Sequence, residues 1–331
     1  MSRYEVPQPI VISGETIEQI FRMDNGMEVV ESAFREHGEG RARMPAKIYL
    51  DLPEMNGDFR AMPAYLPGMG ASGIKWVNSH PGNAARNLPT VMAIIILNDP
   101  ETAVPLAIMD GTYITKIRTG AAGGVAAKYL ARPDSRRLAL VGCGAQAITQ
   151  LEALKRLFQF DRIRLFDPNS SALEAMERSF PEEKKKMERA ADPQACVNGA
   201  DIVVTTTPTR KPILERSWIA EGAHINAVGA DAPGKQELDP EILRTGTVIV
   251  DDVAQASHSG EVNVPIREGQ FTVERIASTL GQVVCRRHPG RSSPTEITIF
   301  DSTGLAIQDL AAARFVYEEC HKLGKGTPIR L

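Results

Sequence analysis

The chain has 331 residues with a formal net charge of −3, and 43% of its residues are hydrophobic and 24% charged. This length is enough for about two domains with full cores, and the composition is typical of globular proteins. The small charge gives no electrostatic reason to expect nucleic acid or an anionic membrane as partner, and no apolar run approaches the roughly 20 residues of a membrane span.

The N-terminal third is predicted to be a mixed α+β region. Two short helices are expected within residues 14–38, and Ser13 is a suitable N-cap for the first. Five strand-like pieces follow, separated by Pro-Gly and Asn-Gly turns, at 47–52, 59–65, 73–79, 90–97 and 104–109. Their spacing predicts a mostly antiparallel meander. An Ala- and Gly-rich helix is predicted over 119–130.

Four cations of this region stand in otherwise apolar settings: Lys47, Arg60, Lys75 and Arg118. Several cations that converge would suit a substrate carboxylate. A lysine on a half-buried strand often points to solvent instead, so the pattern leaves both interpretations open. His80, taken alone, is expected to be a structural hydrogen-bonding residue.

Residues 138–147 have the pattern of a dinucleotide-binding turn. A short apolar strand leads into Gly142-Cys143-Gly144-Ala145-Gln146-Ala147, and a helix is predicted over 148–157. The glycines allow close approach of a pyrophosphate, and the helix N-terminus supplies unpaired N–H groups. A second strand, Arg162–Phe166, ends at Asp167, where an acid that bonds a ribose diol is expected. Because this acid would repel a 2′-phosphate, the sequence predicts NAD rather than NADP.

Alternating strands and helices continue beyond Asp167 and predict a doubly wound Rossmann domain. Helices are expected over 172–180 and 305–320, and strands over 202–207, 223–229, 247–250 and 296–300. Ligands bind where such strands end, so Thr207 and Asp231 are candidates. Asp231 lies either over the cofactor or in a turn that it stabilises. Asp251, Asp252 and Asp301 are expected to be helix caps or turn residues.

Cysteine and histidine usage points to a reduced protein without a metal. The four cysteines and six histidines show no metal-ligand spacing, so we predict no metal site. The N-terminal stretch MSRYEVPQPIVISGE has no signal-peptide core. We therefore expect a cytoplasmic protein.

Several stretches together resemble signatures of the ornithine cyclodeaminase/mu-crystallin family. They are residues 75–83, 118–122, 141–147 and 224–231, and the likeness covers essentially the whole chain. Three further stretches, 59–64, 234–238 and 300–309, look most like the archaeal-type alanine dehydrogenases of that family.

The resemblance implies a homodimer with a small amino acid or 2-oxo acid as substrate and no nucleic-acid or membrane partner. Residues 1–125 with 305–331 would form a substrate-binding and dimerisation domain, and residues 126–304 an NAD-binding Rossmann domain. The implied activity is NAD-dependent oxidative deamination of L-alanine to pyruvate and ammonia. The alternatives are an ornithine cyclodeaminase, a cyclic-imine (pyrroline-2-carboxylate) reductase, or a non-catalytic mu-crystallin-like protein that binds a nucleotide or hormone.

The resemblance also implies roles for individual residues. Lys75 and Arg118 match positions that hold the substrate carboxylate, Lys47 matches another cationic substrate ligand, and Asp231 matches the catalytic acid/base, with Lys75 as a second catalytic candidate. The implied cofactor contacts are Thr90, Arg118, Thr119, Gly142, Gly144, Ala145, Gln146, Asp167, Thr207, Ile225, Asn226, Ala227, Val228, Lys235 and Ser302.

One position departs from the cyclodeaminase pattern. Cyclodeaminases carry a Glu, two residues before a Met-Pro pair, that receives the distal ammonium of ornithine, and Arg60 stands there in this chain. A cation repels an ammonium by about 1–4 kcal/mol at a distance of about 4 Å, depending on the local dielectric. Arg60 therefore favours a small substrate without a distal amine, such as alanine, and is itself a candidate substrate contact.

Overall fold

The computed structural model describes residues 7–330, and the chain forms two compact units. The first unit takes in the chain up to Arg118 and the part from Leu305 onwards, and the second unit is Thr119–Gly304. The fold is α/β, with a doubly wound parallel sheet in the second unit and a mixed α+β arrangement in the first. No helix within residues 7–330 is both long and apolar enough to cross a membrane.

The strands are β1 Ile10–Ile12, β2 Ile48–Leu52, β3 Gly57–Leu66, β4 Ala71–Ser79, β5 Ala93–Asn98, β6 Pro105–Asp110, β7 Arg137–Val141, β8 Arg162–Phe166, β9 Met187–Arg189, β10 Ile202–Thr205, β11 His224–Ala227, β12 Thr247–Val250, β13 Ser278–Thr279, β14 Thr298–Asp301 and β15 Thr327–Pro328. The α-helices are α1 Gly14–Ile20, α2 Met23–Gly38, α3 Gly111–Leu130, α4 Ala145–Leu154, α5 Ser170–Ser179, α6 Pro193–Val197, α7 Pro240–Thr245, α8 Val253–Ser259, α9 Asn263–Arg267, α10 Leu280–Val284 and α11 Ala306–Lys322.

The sheet of the first unit has the order β15-β1-β6-β5-β4-β3-β2. Strands β2 to β6 pair antiparallel in sequence order, which confirms the predicted meander. Strand β1 lies parallel to β6, and β15 lies antiparallel to β1. The sequence pattern indicated neither β1 nor β15, because each is only two or three residues long.

One face of this sheet is covered by α11, which packs on β3, β4 and β5 and against α2. Alternate residues of β3 point to it, so Arg60 and Met62 are buried, and Lys75 lies directly opposite Met62 on β4. A lysine on an inward-facing strand position is therefore enclosed in the unit's interior rather than directed to solvent.

The opposite face of the sheet, called here the outer face, is apolar and exposed. Ile48, Leu50, Trp76, Ile94 and Ile96 are 64%, 53%, 42%, 52% and 37% exposed, and their strand registers place them on one side. A contiguous exposed apolar surface of this kind marks an interaction site in many proteins.

The second unit contains an all-parallel sheet in the order β13-β12-β14-β11-β10-β7-β8-β9. The chain runs from β7 outward to β8 and β9, then returns to pair β10 with the other side of β7. The order therefore reverses between β7 and β10, the point at which doubly wound folds bind their ligands. Buried apolar residues cover both faces of this sheet.

Several predicted boundaries are wrong by a few residues. Helix α4 begins at Ala145 rather than at 148, because Gly144 already serves as its N-cap. Helix α3 begins at Gly111 rather than 119, and α2 is a 16-residue helix rather than a short one. The strands predicted over 162–166 and 247–250 are confirmed by β8 and β12, and Ser13 caps α1 by accepting a hydrogen bond from the Thr16 N–H.

Candidate functional site

In the second unit, the turn after β7 has the geometry of a dinucleotide-binding loop. Gly142 has φ +87°, and a Cβ there would lie 2.9 Å from Cγ2 of Thr207, so only glycine suits this position. A Cβ at Gly144 would meet nothing within 4 Å, and Gly144 and Ala145 are exposed at the N-terminus of α4. These backbone N–H groups and the positive end of the helix can receive an anionic group.

Asp167 follows β8 and contacts this turn. One oxygen of its carboxylate accepts a hydrogen bond from the Cys143 N–H at 2.8 Å, and the other accepts from the Asn169 N–H at 2.8 Å. The structure therefore brings the predicted ribose ligand beside the glycine turn. Burial raises the pKa of the Cys143 thiol to about 12, so this cysteine is a neutral packing residue and not a nucleophile.

The ends of β10 and β11 are joined by Glu237, a residue to which the sequence pattern assigned no role. Its buried carboxylate accepts hydrogen bonds from the Thr205 hydroxyl, the Thr207 N–H, the Thr207 hydroxyl and the Gly229 N–H at 2.7–2.8 Å. Burial raises the pKa of Glu237, while these four bonds act in the opposite direction. The carboxylate fixes the positions of Thr207 and of the loop that carries Asp231.

Asp231 lies in that loop and pairs with Lys235, whose Nζ is 2.5 Å from its Oδ1. The two side chains are 38% and 19% exposed. The loop is fastened by Asn263, which accepts a hydrogen bond from the Gly234 N–H and donates one to the Lys235 carbonyl. The structure thus brings two predicted site residues together on an anchored loop.

The predicted cofactor contacts along β11 differ in what they present. Ile225 belongs to the apolar core, and the Asn226 amide donates hydrogen bonds to the Gly123 carbonyl and to Gln150 Oε1. Their side chains are therefore committed inside the unit, so a cofactor contact at these two positions stays a prediction that concerns the backbone. Ala227 ends the strand and Val228 follows it, and the Ser302 N–H donates to the Ala227 carbonyl at 3.0 Å.

Thr119 is also turned inward. It is 7% exposed, and its carbonyl accepts a hydrogen bond from Gln150 Nε2 at 3.0 Å. This bond joins the start of the second unit's part of α3 to α4.

In the first unit, Lys75 and Arg118 share one buried acid, Asp309. Its Oδ2 lies 2.6 Å from Nζ of Lys75, and its Oδ1 accepts a hydrogen bond from Nε of Arg118 at 3.0 Å. Gln308 accepts a second bond from Arg118 Nη1 at 3.1 Å. All three charged side chains are at least 93% buried. We call Lys75 and Arg118 the cation pair.

The charge of Lys75 is sensitive to this environment. Burial lowers the pKa of Lys75 to about 7, Asp309 opposes that change, and Arg118 and Lys47 add to it. The half-buried Lys47 thus acts on Lys75 electrostatically, as expected for cations that converge. The hydroxyl of Thr115 accepts a hydrogen bond from Lys75 Nζ at 3.4 Å. Lys75 can therefore change its charge near neutral pH, unlike an ordinary lysine.

Arg60 differs from the expectation of a cation in an apolar setting. Two of its guanidinium nitrogens donate to the two carboxylate oxygens of Asp58 at 2.8 and 3.0 Å, and the guanidinium lies 5.4 Å from the centroid of the Tyr49 ring. Asp58 and Arg60 are two positions apart on β3, so their side chains lie on the same face of the strand, which explains the pairing. Arg60 therefore belongs to a nearly neutral pair, a feature that its apolar neighbours in the sequence concealed.

His80 directly follows β4, and Thr90 lies in the segment before β5. Thr90 is exposed, and its carbonyl accepts a hydrogen bond from the His80 N–H at 2.8 Å. His80 packs edge-on against Phe59, and its Nδ1 accepts a hydrogen bond from the Asn78 amide Nδ2 at 3.0 Å. His80 is thus the structural residue that was expected.

The three acids expected to be caps or turn residues have different roles. Asp252 caps α8 through the Gln255 N–H, and Asp251 accepts hydrogen bonds from the N–H groups of Thr303 and Gly304. Asp301 is instead fully buried at the end of β14, where burial raises its pKa to about 8. Among residues 7–330, no three His, Cys, Asp or Glu side chains group so as to hold a metal ion.

Comparison with known proteins supports the predicted resemblance. The model of the ornithine cyclodeaminase/mu-crystallin family matches residues 8–324. The alanine dehydrogenase of Archaeoglobus fulgidus is 49% identical over 323 residues, which cover 98% of this chain and 98% of that protein.

Solved structures extend the likeness to the backbone. An archaeal alanine dehydrogenase dimer with bound NAD matches with a TM-score of 0.94 and 48% identity, covering 98% of this chain and 99% of that one. The Thermococcus litoralis Delta(1)-pyrroline-2-carboxylate reductase, in complex with NADH and L-proline, matches with a TM-score of 0.93 and 35% identity over 97% and 100% of the two chains. This chain therefore belongs to the ornithine cyclodeaminase/mu-crystallin family.

Proposed function

We propose that the protein is an NAD-dependent L-alanine dehydrogenase. The observation that carries the proposal is the buried cation pair, Lys75 and Arg118, held on one acid, Asp309. Two cations and one anion leave a formal charge of +1, which one substrate carboxylate would neutralise. The 49% identity to the Archaeoglobus fulgidus alanine dehydrogenase supports alanine as the amino acid.

The reaction joins L-alanine, water and NAD and gives pyruvate, ammonium, NADH and a proton. NAD supplies the hydride acceptor when it is bound. In the proposal the cation pair holds the carboxylate, and Lys47 and Arg60 complete the substrate contacts. Asp231 takes a proton from the amine or from the water that attacks the imine carbon, and its 38% exposed side chain, anchored by Lys235, suits that role.

The second unit is proposed to bind NAD, and the first to bind substrate and to dimerise. The turn of Gly142, Gly144, Ala145 and Gln146 would receive the pyrophosphate, and Asp167 would bond the adenosine ribose. The remaining proposed contacts are Thr90, Arg118, Thr119, Thr207, the backbone of 225–228, Lys235 and Ser302. The neighbouring family structures that contain NAD or NADH support this cofactor.

The outer face is proposed to join two copies of the chain. Its five exposed apolar residues, defined above, would leave water on association. The archaeal alanine dehydrogenase that matches this chain is a dimer. A cytoplasmic location stays a prediction from the sequence.

A pyrroline-2-carboxylate reductase is the second candidate. The Thermococcus litoralis reductase shares the backbone with a TM-score of 0.93, and the cation pair would hold the carboxylate of a cyclic imine equally well. Pyrroline-2-carboxylate differs from the imine of alanine because its imine is part of a ring, so its reduction uses no separate ammonia.

The two candidates are separated by NADH oxidation with the purified protein. We expect faster turnover of pyruvate with ammonia than of pyrroline-2-carboxylate, each at saturating NADH, and formation of alanine in step with NADH loss. Faster reduction of the cyclic imine would favour the reductase. Tight NADH binding without turnover of either substrate would favour a mu-crystallin-like binding protein.

A further inference from the structure

Asp309 sits between the two cations to which the proposed function gives the substrate carboxylate. It lies in the first turn of α11, it is fully buried, and its two oxygens face different partners. Oδ2 contacts Lys75 on β4, and Oδ1 contacts Arg118 on α3. One carboxylate therefore fixes the separation of two side chains that come from distant parts of the chain.

The negative charge of Asp309 is surrounded by positive groups. Two cations touch it, and the N-terminus of α11 adds a positive partial charge beside the first turn. Gln308, its neighbour on the same helix, accepts a bond from Arg118 Nη1. The bonds to Asp309 and Gln308 use Nε and Nη1 of the guanidinium, so they set its plane while Nη2 stands outside them.

The charge of Lys75 depends on Asp309 more than the charge of Arg118 does. The charged groups that act on Lys75 are Asp309 from α11, Arg118 from α3, and Lys47 from the segment before β2, and Thr115 of α3 contributes a neutral hydroxyl. Of these, Asp309 alone carries negative charge. An arginine stays charged at any ordinary pH, whereas a lysine in such surroundings does not.

We propose that Asp309 is a positioning residue of the substrate site, which holds Lys75 beside Arg118 and keeps its ammonium charged so that the pair can bind a carboxylate. This inference rests on the proposed function for the identity of the carboxylate. The protonation state of Lys75 does not depend on the proposed function and can be measured without substrate. Asp309 acts through the two cations and is not itself a substrate contact.

The test compares four proteins: the unmutated chain, Asp309→Asn, Asp309→Glu, and Glu319→Gln as control. Glu319 lies on the same helix, and its side chain is 31% exposed in a pair with Lys322, so its replacement removes one acid from α11 without touching Lys75. The proton state of Lys75 is followed by the ¹³Cε shift of labelled lysine during a pH titration, with the resonance assigned by its loss in Lys75→Met.

The first expected result concerns the titration. In Asp309→Asn the midpoint for Lys75 falls below that of the unmutated protein, because the carboxylate in contact with its ammonium has gone, and in Glu319→Gln it is unchanged. An unchanged midpoint in folded Asp309→Asn would overturn the proposal. This outcome is independent of turnover, so a protein that fails to deaminate alanine would defeat the proposed function and leave this test intact.

The second expected result concerns substrate. For pyruvate with ammonia and NADH, Asp309→Asn raises KM by about 10- to 100-fold near pH 7, and lower pH, which restores the charge of Lys75, reduces the defect. Asp309→Glu keeps the Lys75 midpoint near its original value but raises KM, because the added methylene moves the two oxygens. If Asp309→Asn does not fold, Asp309→Glu decides alone: an unaltered KM there contradicts the positioning role.

Discussion

Lys235 holds Asp231 through an ion pair of 2.5 Å across four residues of the loop after β11. The loop is further fixed by Asn263, which bonds the backbone of both Gly234 and Lys235. Because the acid is anchored yet 38% exposed, it can meet a small molecule without reorganisation of the loop. This arrangement is what positioned acid–base catalysis requires.

Replacement of Asp231 tests its proposed proton exchange. Asp231→Asn is nearly isosteric, so NAD binding and the folded state should persist, while kcat falls by about 10²–10⁴, the usual scale of positioned acid–base help. Steady-state kinetics and NADH fluorescence titration measure the two quantities. Asp134→Asn, at a side chain that is 83% exposed, is the control. Near-normal kcat in Asp231→Asn would return the residue to a role in turn structure.

Asp167 should decide the choice of cofactor. The unmutated protein is expected to bind NADH more tightly than NADPH, because the carboxylate repels a 2′-phosphate. Asp167→Asn keeps an oxygen for the Cys143 N–H but removes the charge, so it should narrow the difference. Asp167→Ala should also weaken NADH binding by about 10- to 100-fold. Tighter NADPH binding by the unmutated protein, measured by fluorescence titration, would contradict the assignment.

Asp301 should make stability depend on pH. Burial raises the pKa of Asp301 to about 8 from its ordinary value of 3.8, so the folded protein keeps a proton that the unfolded chain loses. The contribution of protonated Asp301 to the free energy of unfolding is therefore complete below about pH 4. It declines by about 1.4 kcal/mol per pH unit above pH 4 and levels off above about pH 8.

The measurement is urea unfolding of the unmutated protein and of Asp301→Asn from pH 5 to pH 8. The variant, which cannot ionise at this position, should gain stability relative to the unmutated protein as the pH rises. A constant difference across this range would show that Asp301 does not titrate as a buried acid. The surface variant Asp134→Asn should leave the pH profile unchanged.

The outer face should control assembly. Trp76→Glu and Ile94→Glu each place a charge in the proposed interface, where it would be buried without a partner at a cost of several kcal/mol. We expect monomers by light scattering, and a dimer for the unmutated protein. Val273→Glu is the matched control, since Val273 is a similarly exposed apolar residue, at 38%, in the second unit. Dimers that survive both outer-face variants would exclude this face.

The sequence predicted the parts of the structure that depend on local pattern. The glycine turn at 142–147, the acid at the end of β8 and the antiparallel meander each follow from residues that are neighbours in the chain. Boundaries were less predictable. The start of α4 depends on how Gly144 caps it, and the short strands β1, β9, β13 and β15 exist because longer strands offer them an edge.

The site was predictable for its cations and not for the acids that hold them. Asp309 and Arg118 are separated by 191 positions, and only the packing of α11 on the sheet brings them together. Glu237 likewise acts on strand ends that lie 30 and 32 positions away. Asp58 stands two residues from Arg60, and strand alternation could have indicated that pair in advance.

Arg60 connects the structure with substrate choice. Both oxygens of Asp58 accept bonds from Arg60, so a distal ammonium of ornithine would meet a carboxylate that is already paired and a cation beside it. Desolvation of that ammonium would not be offset, whereas a methyl group carries no such cost. Arg60→Glu should lose alanine turnover without gaining ornithine turnover, because the new carboxylate would face Asp58.

Alanine as the substrate is best tested by kcat/KM of the unmutated protein for L-alanine and for L-ornithine with NAD. Alanine is followed by NADH formation and ornithine by proline formation, at one pH and one NAD concentration. We predict that alanine exceeds ornithine by about 5- to 1,000-fold, which corresponds to about 1–4 kcal/mol lost when the distal ammonium of ornithine is desolvated without a counter-charge. A value for ornithine equal to or above that for alanine would contradict it and identify the protein as a cyclodeaminase.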